Sequence, residues 1–430
     1  MRTAVGCAAL LLIAGGVAYA TGTIGPFVGP DGTISACVQK DSGDVRIVAP
    51  GHSCRARDEV SVKWNQHGIQ GPKGDIGPSG PPGASPGPAN VSVDCAAGQS
   101  VQQALDANAN ATSVNITING TCTESVNVDR DNVSLSAGAA GGLTSPMSGA
   151  PVIQVEGRQV QIQGLAIAGG TGVSVNGGWL QATDVNISGG SAAVTVDGGG
   201  GGNASVFNSS LSGTQNVVDA GPGGAVQLGG DNVQGSSGGF DISVSAGGTV
   251  SVGQSTISGG RDGVIANPGG SAQLFNTTVS DTTENGLFAF GGSIVDSGGS
   301  ITGSGGAGVS TYAGGYADLS SGVRIANDNI GVSTYGGRIL LQAGVVIENN
   351  TGDGVQVSSS SSVAAEGPVT IQNNSGNGVH IQDNSVASFG SGDQITGNGG
   401  LGIFCDSSPA NPLIVGPPAP AGVTTNCNHG

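Results

Sequence analysis

The chain of 430 residues has little charge and few aromatic side chains: 10% of its residues are charged and 3% are aromatic. Lysine is absent after Lys73, and the formal net charge is −17. This acidic balance repels phosphates, so nucleic acid is disfavoured as a partner. After the first 20 residues no apolar run approaches the roughly 18 residues of a membrane-spanning helix, so we predict no membrane span.

Glycine is abundant instead, with 83 Gly and 19 Pro. A helix bundle is excluded, because each interior Gly costs about 1 kcal/mol relative to Ala. Collagen along the whole chain would need Gly at every third position, which the sequence does not have. The glycine content therefore indicates either disorder or a regular backbone with many tight corners.

The N-terminus and the cysteines indicate export. Arg2, an apolar run over 8–14 and the tripeptide at 18–20 predict a signal peptide over residues 1–20, and hence a secreted or cell-surface protein. Cys7 would leave with this segment. Fifteen connectivities are formally open to the other six cysteines. Their spacing favours three disulfides that each close a short loop, namely Cys37–Cys54, Cys95–Cys122 and Cys405–Cys427.

Two short segments follow the signal peptide. Residues 21–67 predict a small disulfide-closed β module, with strands over 34–38 and 45–48. Gly then recurs at every third position from Gly68 to Gly83, which predicts a collagen-like spacer over 68–89. Six triplets are few for a stable triple helix, so we expect a semi-rigid spacer, with a homotrimer through the spacer as the alternative. The arrangement resembles the module and Gly-x-y spacer of some bacterial surface and phage fibre proteins.

Residues 90–430 contain an internal repeat with a mean spacing of 23 residues. Most units begin with a Gly, a hydrophobic, a variable and a small or apolar residue, and two further units fit without the Gly, at Ala193 and Asn216. The clearest units begin at Gly172, Gly239, Gly263, Gly286, Gly308, Gly331, Gly354, Gly378 and Gly402. Three short strand-like runs fill each unit and leave no room for a helix, so one unit predicts one coil.

Two columns of equivalent residues indicate that about eleven or more coils stack in register. Four residues before successive repeat glycines the sequence has Asn327, Asn350, Asn374 and Asn398, which predict a structural Asn ladder. Three residues earlier, isoleucines predict a buried apolar stack at Ile347, Ile371 and Ile395. This register resembles the right-handed parallel β-helix of the pectin-lyase-like superfamily over nearly all of 90–430.

The resemblance implies an all-β fold class, a single-stranded right-handed parallel β-helix over 90–430. The capping box from Ser100 to Gln103 predicts a cap helix near 100–108, which would plug the open end of the core. The last disulfide predicts a C-terminal cap.

The resemblance also raises the expectation of a polysaccharide enzyme. Family hydrolases share Asn-Thr-Asp, Asp-Asp, Gly-His-Gly and Arg-Ile-Lys motifs, and none is present in this domain. Family lyases use a basic residue beside Ca²⁺. The candidates are Arg130, Arg158, Arg261, Arg324 and Arg338, and we expect none to have two carboxylates at neighbouring coil positions. We therefore expect a binding or structural protein without a cofactor. The alternatives are a lyase or glycosidase with a divergent site, or a trimeric surface fibre subunit.

Aromatic residues give the best candidate ligand surface. Phe290, Tyr312 and Tyr335 lie four residues after the repeat Gly in three consecutive coils, with Phe288 outward beside them. We predict a strip on which sugar rings stack; a stabilising ladder at a corner is the alternative. Gln356 and His380 extend the candidate strip, because they take outward positions in the next coils and could hydrogen-bond hydroxyls. The expected partner is an extracellular glycan or a cell surface.

Asp129 and Asp131 form the one weak metal candidate. At i, i+2 on a strand they would share a face and could hold Ca²⁺ or serve acid–base chemistry, whereas a solvated turn is the plainer interpretation. Asx residues also stand directly before several repeat glycines, where we interpret them as corner residues: Asp262, Asn285, Asp353 and Asn377.

Overall fold

The computed structural model describes residues 27–65, 87–188, 190–197, 199, 201–406, 413–414 and 422–427. The predicted signal peptide and nearly all of the predicted spacer lie outside the described residues. The chain divides into two units, Met1–Pro81 and Pro82–Gly430. Within the described ranges, no helix is long and apolar enough to cross a membrane.

The first unit contains an antiparallel three-stranded sheet. Its strands are Thr33–Gln39, Val45–Val48 and Glu59–Asn65, and the first of these lies in the middle. The disulfide Cys37–Cys54 ties the central strand to the loop that precedes the third. The first two strands match the prediction, and the third had not been predicted.

The second unit is an all-β, single-stranded parallel β-helix of about 14 turns, which confirms the predicted fold class. Successive coils contribute strands to three parallel columns, here called columns I, II and III. Column I is a 13-stranded sheet. Columns II and III form one 26-stranded sheet, because Ser271–Ser280 and Ser293–Thr302 run through both.

Column I comprises Val126–Val128, Pro151–Val155, Thr171–Asn176, Ala192–Asp197, Val218–Ala220, Ile242–Val244, Val264–Ala266, Leu287–Phe290, Ala307–Tyr312, Ile330–Tyr335, Val355–Ser358, Val379–Ile381 and Ile403–Cys405. Column II comprises Ala89–Asp94, Val114–Asn119, Val133–Ala137, Val160–Gln163, Trp179–Thr183, Asn203–Phe207, Ala225–Gly229, Thr249–Gly253, the first halves of the two shared strands, Tyr316–Ser320, Arg338–Gln342, Ser362–Glu366, Val386–Ser388 and Leu413–Ile414. Column III comprises Thr121–Thr123, Gly142–Thr144, Ala166–Ala168, Asn186–Ser188, Ser210–Ser212, Asn232–Gln234, Thr256–Ser258, the second halves of the shared strands, Arg324–Ala326, Val346–Glu348, Thr370–Gln372 and Gln394–Thr396.

Alternation along each strand separates the core from the surface. In column I, Val355 pairs with Val379 and both are buried, whereas Gln356 pairs with His380 and both face outward. Because side chains of a strand point alternately to opposite faces, one apolar core runs through the coils and three outer faces remain.

The repeat glycines are required by close packing between coils. A Cβ atom at Gly354 would lie 2.6 Å from Cγ2 of Ile371 and 2.7 Å from both Nδ2 of Asn374 and the carbonyl oxygen of Gly378, the equivalent glycine of the next coil. Gly331 and Gly378 have the same surroundings, and none of the three has a positive φ. At these positions the high glycine content therefore reflects coil-on-coil contact, as expected for a regular backbone.

Two units of the predicted repeat were wrong in register. Val194 pairs with Val218, so Val217, and not Asn216, occupies the position equivalent to Ala193. Ile242 pairs with Val264, so Asp241, and not Gly239, occupies the position equivalent to Gly263. The residue after Gly239 is Phe240, which lies at the corner beneath Arg261 instead of in the core. The corner before Ile242 is longer than the sequence pattern assumed.

Both ends of the β-helix are capped. The helix Val101–Ala107 begins after Ser100, whose Oγ accepts the backbone N–H of Gln103 at 3.2 Å. Glu124 from the following coil accepts the N–H of Val101 at 2.8 Å. Disulfides join the predicted pairs, Cys95–Cys122 near the first coil and Cys405–Cys427 at the last.

Candidate functional site

Column I brings the four predicted aromatic residues together as one aromatic strip, Phe288, Phe290, Tyr312 and Tyr335. The ring of Phe290 stacks on that of Tyr312 with centroids 5.6 Å apart, and Tyr312 stacks on Tyr335 at 5.2 Å, each at an interplanar angle of 13°. Phe288 lies 6.1 Å from Phe290 at 47°. The in-register pairing of neighbouring strands fixes this stack.

The rings of the aromatic strip cover most of each other's faces. Tyr312 is sandwiched between Phe290 and Tyr335 and is 41% exposed, whereas Tyr335 is 52% exposed. The next residue of the column is Ser358, so the outer face of Tyr335 has no ring above it. The surface that the strip offers to a ligand is therefore the terminal face of Tyr335 and the edges of the tyrosines.

Gln356 lies next to this terminal face, one coil beyond Tyr335. It pairs with Ser333, so the strip is bordered by uncharged side chains that can both donate and accept hydrogen bonds.

The structure removes His380 from the candidate strip. Its Nδ1 lies 2.9 Å from Oδ2 of Asp353, its ring packs against Phe404 at 5.0 Å, and its Nε2 is buried with no partner among the described residues. The hydrogen bond to Asp353 raises the pKa of His380. Burial alone would raise the pKa of Asp353, but the hydrogen bonds from His380 and Asn377 bring it below its ordinary value. His380 therefore belongs to an ion pair that no ligand can reach through Nε2.

The Asn ladder exists, with one member changed. The Nδ2 of Asn350 donates to Oδ1 of Asn374 at 2.8 Å, and that of Asn374 to Oδ1 of Asn398 at 2.9 Å. The prediction of Asn327 was wrong, since Asp328 occupies the ladder position. Asn327 is the exposed residue before it, in left-handed conformation with φ 61°. The corner that follows Asp328 is one residue shorter than those of the later coils, which shifts the count back from Gly331.

The metal candidate does not have the expected geometry. Asp129 and Asp131 are exposed and follow the strand Val126–Val128 instead of lying on it, and Oδ1 of Asp131 accepts the N–H of Arg158 at 2.7 Å. Within the described residues, one group of three potential ligands is close enough to share an ion. Two of its members, Cys37 and Cys54, are bonded to each other.

The expectation for the arginines was wrong at Arg261. Its Nε lies 3.2 Å from Asp262 and 3.6 Å from Glu284 in the next coil, and its guanidinium lies over Phe240 at 4.3 Å. Asp262 is buried, and its Oδ1 also accepts the N–H and Nδ2 of Asn285. The two carboxylates and the ring of Phe240 therefore fix this guanidinium at the corner before column I.

A second surface, on column II, was missed at the level of sequence. Trp179 is 51% exposed and Phe275 is 54% exposed, and both project from the outer face of that column. They form no aromatic column in the sequence, because they stand four coils apart and at different positions along their strands. Alternation within Trp179–Thr183, which turns Trp179 and Gln181 outward, is the signal that could have found them.

Comparison with known proteins identifies the fold. Residues 241–416 match the family model described as "Right handed beta helix region". No curated protein matches the chain.

Several solved structures are similar. The A-module of the mannuronan C-5 epimerase AlgE4 of Azotobacter vinelandii shares 15% identity, over 63% of this chain and 90% of that one, with a TM-score of 0.44. The catalytic unit of a GH87 α-1,3-glucanase from Streptomyces thermodiastaticus shares 14%, over 86% and 73%, with a TM-score of 0.41. The receptor-binding tailspike of bacteriophage Det7 shares 12%, over 79% and 75%, with a TM-score of 0.36. At this level of similarity, the function has to be inferred from the residues of the site.

Proposed function

We propose that the protein is a secreted or cell-surface β-helix that binds a polysaccharide at the aromatic strip and does not cleave it. One observation carries the proposal: the ladder of rings ends at Tyr335, which is half exposed, has no ring beyond it and is followed in the next coil by the uncharged Gln356 and Ser358. An aromatic face pairs with the apolar face of a pyranose ring, and amides and hydroxyls pair with its hydroxyl groups.

The spacing of the strip suits this role. Ring centroids 5.2 to 5.6 Å apart follow the coil spacing. A sugar ring that contacted Tyr335 would have Gln356, on the next coil of the same outer face, as its hydrogen-bonding neighbour.

A binding role is favoured over lyase or hydrolase chemistry because two of the candidate arginines, and the carboxylates beside them, already have partners. Arg261 is held by Asp262 and Glu284, and Arg324 lies 2.8 Å from Glu348. Hydrogen bonds from Gln372 and Arg324 lower the pKa of Glu348. A general acid needs a raised pKa, so Glu348 is poorly suited to protonate a leaving group.

Affinity electrophoresis tests the proposal. The full chain would be run through gels that contain hydroxyethylcellulose, xyloglucan, glucomannan, soluble starch or polygalacturonate. At least one polysaccharide should retard the wild type. Tyr335→Ala should reduce the affinity about tenfold, which corresponds to the loss of one stacking contact. Tyr335→Phe keeps the ring and should bind as the wild type does.

Two results would contradict the proposal. One is equal retardation of Tyr335→Ala and the wild type. The other is release of reducing ends or unsaturated uronates from any of these polymers, which would establish the enzymatic alternative.

A further inference from the structure

We propose that the outer face of column II is a second binding surface, specific for an uncharged polysaccharide chain. The surface, here called the neutral face, consists of the outward residues of nine column II strands, from Val114–Asn119 to the first half of Ser293–Thr302. It lies on another sheet than the aromatic strip and rests on separate observations.

The neutral face lacks charge over its whole length. None of the outward side chains of its nine strands is charged, although the chain as a whole has a net charge of −17. Amides and hydroxyls form its middle row, in the order Gln161, Gln181, Ser205, Gln227, Ser251 and Gln273. Each such group can donate and accept hydrogen bonds, which is the chemistry that sugar hydroxyls present.

Trp179 separates two concavities on this face. The first, of about 350 Å³, is lined by Trp179 together with Gln161 and Gln181. The second, of about 550 Å³, is lined by Trp179 together with Ser205 and Gln227. A half-exposed indole with amides on both sides offers one apolar surface and adjacent hydrogen-bonding groups, as a small set of polar groups does in a ligand site.

A glycine notch forms the third concavity, of about 620 Å³, between Phe207 and Phe275. Two strands lie between these rings. At the register position that the rings occupy, those strands carry Gly229 and Gly253. A Cβ atom at Gly229 would lie 2.8 Å from Cδ1 of Phe207, so that ring partly covers the first glycine.

Gly253 has no structural reason to be glycine. Its φ is not positive, and the nearest atom to a Cβ there would be the carbonyl oxygen of Leu228, at 4.0 Å. Gly253 is the last residue of the strand Thr249–Gly253 and precedes the corner residue Gln254, whose φ is 52°. A strand glycine is destabilising by roughly 0.5–1 kcal/mol and marks a bend or a place where another backbone or a ligand approaches closely, and no backbone atom of another strand lies closer than 4.0 Å to a Cβ at Gly253. The open space at Gly253, beside the 54% exposed ring of Phe275, is therefore room for a ligand.

The occupant that these observations favour is an extended, uncharged glycan. Trp179 and Phe275 are separated by four strand spacings, roughly 19 Å, and by four residues along the strand, roughly 13 Å. They therefore stand roughly 23 Å apart, and a chain that touches both must be an oligomer. An acidic polysaccharide would be repelled by the net charge, and it would find no cation on this face.

Two variants test the neutral face by affinity electrophoresis of the full chain in the neutral polysaccharides named above. Trp179→Ala should lose about tenfold in affinity. Gly253→Thr should lose at least as much by filling the notch, while its thermal unfolding temperature stays equal or rises, because Thr favours a strand. If the notch holds a ligand, Gly253→Thr should lower the affinity without lowering the unfolding temperature.

Ala364→Thr is the matched control. It introduces the same side chain at an outward position of column II, on the strand Ser362–Glu366 beyond the neutral face, and should leave affinity unchanged. Tyr335→Ala keeps the two surfaces distinguishable. If Tyr335→Ala weakens binding but Trp179→Ala and Gly253→Thr do not, the neutral face is overturned and the aromatic strip stands.

The reverse pattern supports the neutral face and overturns the strip. Sedimentation gives a further decisive outcome. If the wild type self-associates and Gly253→Thr is a monomer, the notch holds a second copy of the chain, and the glycan proposal is overturned.

Discussion

The backbone N–H of Asp328 donates to Oδ1 of Asn350, 2.9 Å away in the next coil. Asn350 continues the ladder through a second bond, from its Nδ2 to Asn374. Asp328 has no such donor, and its Oδ2 is buried with no partner among the described residues. Burial raises the pKa of Asp328 to about 7.

Asp328→Asn should therefore stabilise the protein, and more so at high pH. The folded pKa lies above the ordinary value of 3.8, so the neutral carboxyl favours folding at low pH and this contribution is lost as pH rises through about 7. We expect a gain of about 2 kcal/mol at pH 8 and a smaller one at pH 5, measured by thermal unfolding. Asp129→Asn, at an exposed carboxylate, is the control; an equal gain at both pH values would contradict the explanation.

A second buried carboxyl, Asp296, lies in the core itself. It stands between Leu274 and Leu319 in column II, and neither of its oxygens has a partner within the described residues. Burial raises its pKa to about 7. Asp296→Leu should stabilise the neighbouring coils by about 4 kcal/mol at pH 8, because ionisation of the buried group is then avoided.

Hydrogen exchange of the amides in Ser293–Thr302 is the appropriate measurement for Asp296→Leu, since coils of a solenoid open locally. Asp296→Asn separates charge from packing: it should remove the pH dependence but gain less, because a buried amide without partners remains. Slower exchange in the leucine variant at pH 8 is expected, and unchanged exchange would count against a buried ionisable group.

The fold was predictable because stacking repeats the same constraint in every coil. Ile371 and Asn374 recur at the coil period since each must meet its equivalent in the next coil, and Gly354 recurs because it touches both. The three disulfides followed from short separations along the chain.

Corner length was not predictable in the same way. Asp328 and Asp241 each stand one or two residues from the expected position, because a corner can gain or lose a residue without disturbing the strands on either side. The neutral face escaped prediction for a related reason. That Trp179 and Phe275 lie on one outer face is apparent only once the register of the intervening strands is known.

The ion pair between His380 and Asp353 gives a third prediction. Asp353→Asn should lower the pKa of His380, as followed by NMR, with the resonance assigned through its loss in His380→Gln. Since the folded pKa of His380 is raised, the contribution of the charged imidazole to stability is complete below about pH 6.5 and is lost as pH rises through the folded pKa. Asp353→Asn should thus cost more stability at pH 5.5 than at pH 8, and the opposite order would contradict the pairing.

The aromatic strip gives a fourth prediction, because its rings are not equivalent. Tyr312 stacks on two neighbours and Tyr335 on one. Tyr312→Ala should lower the free energy of unfolding by about twice as much as Tyr335→Ala, at roughly 0.5–1.5 kcal/mol per lost stack. Equal losses, measured by denaturant unfolding at one pH, would show that the stack itself contributes little.

The disulfides at the two ends of the β-helix have a consequence for assembly. Cys95–Cys122 and Cys405–Cys427 fasten the terminal coils, and a parallel stack that ends abruptly presents a row of unpaired N–H and C=O groups. Under reducing conditions we expect a terminal coil to unfold and to expose the unpaired groups of the coil beneath it, to which another chain can add a strand. We therefore expect oxidation to protect both ends of the β-helix against pairing with another chain, whereas after reduction the same register that builds the coils would favour end-to-end fibres.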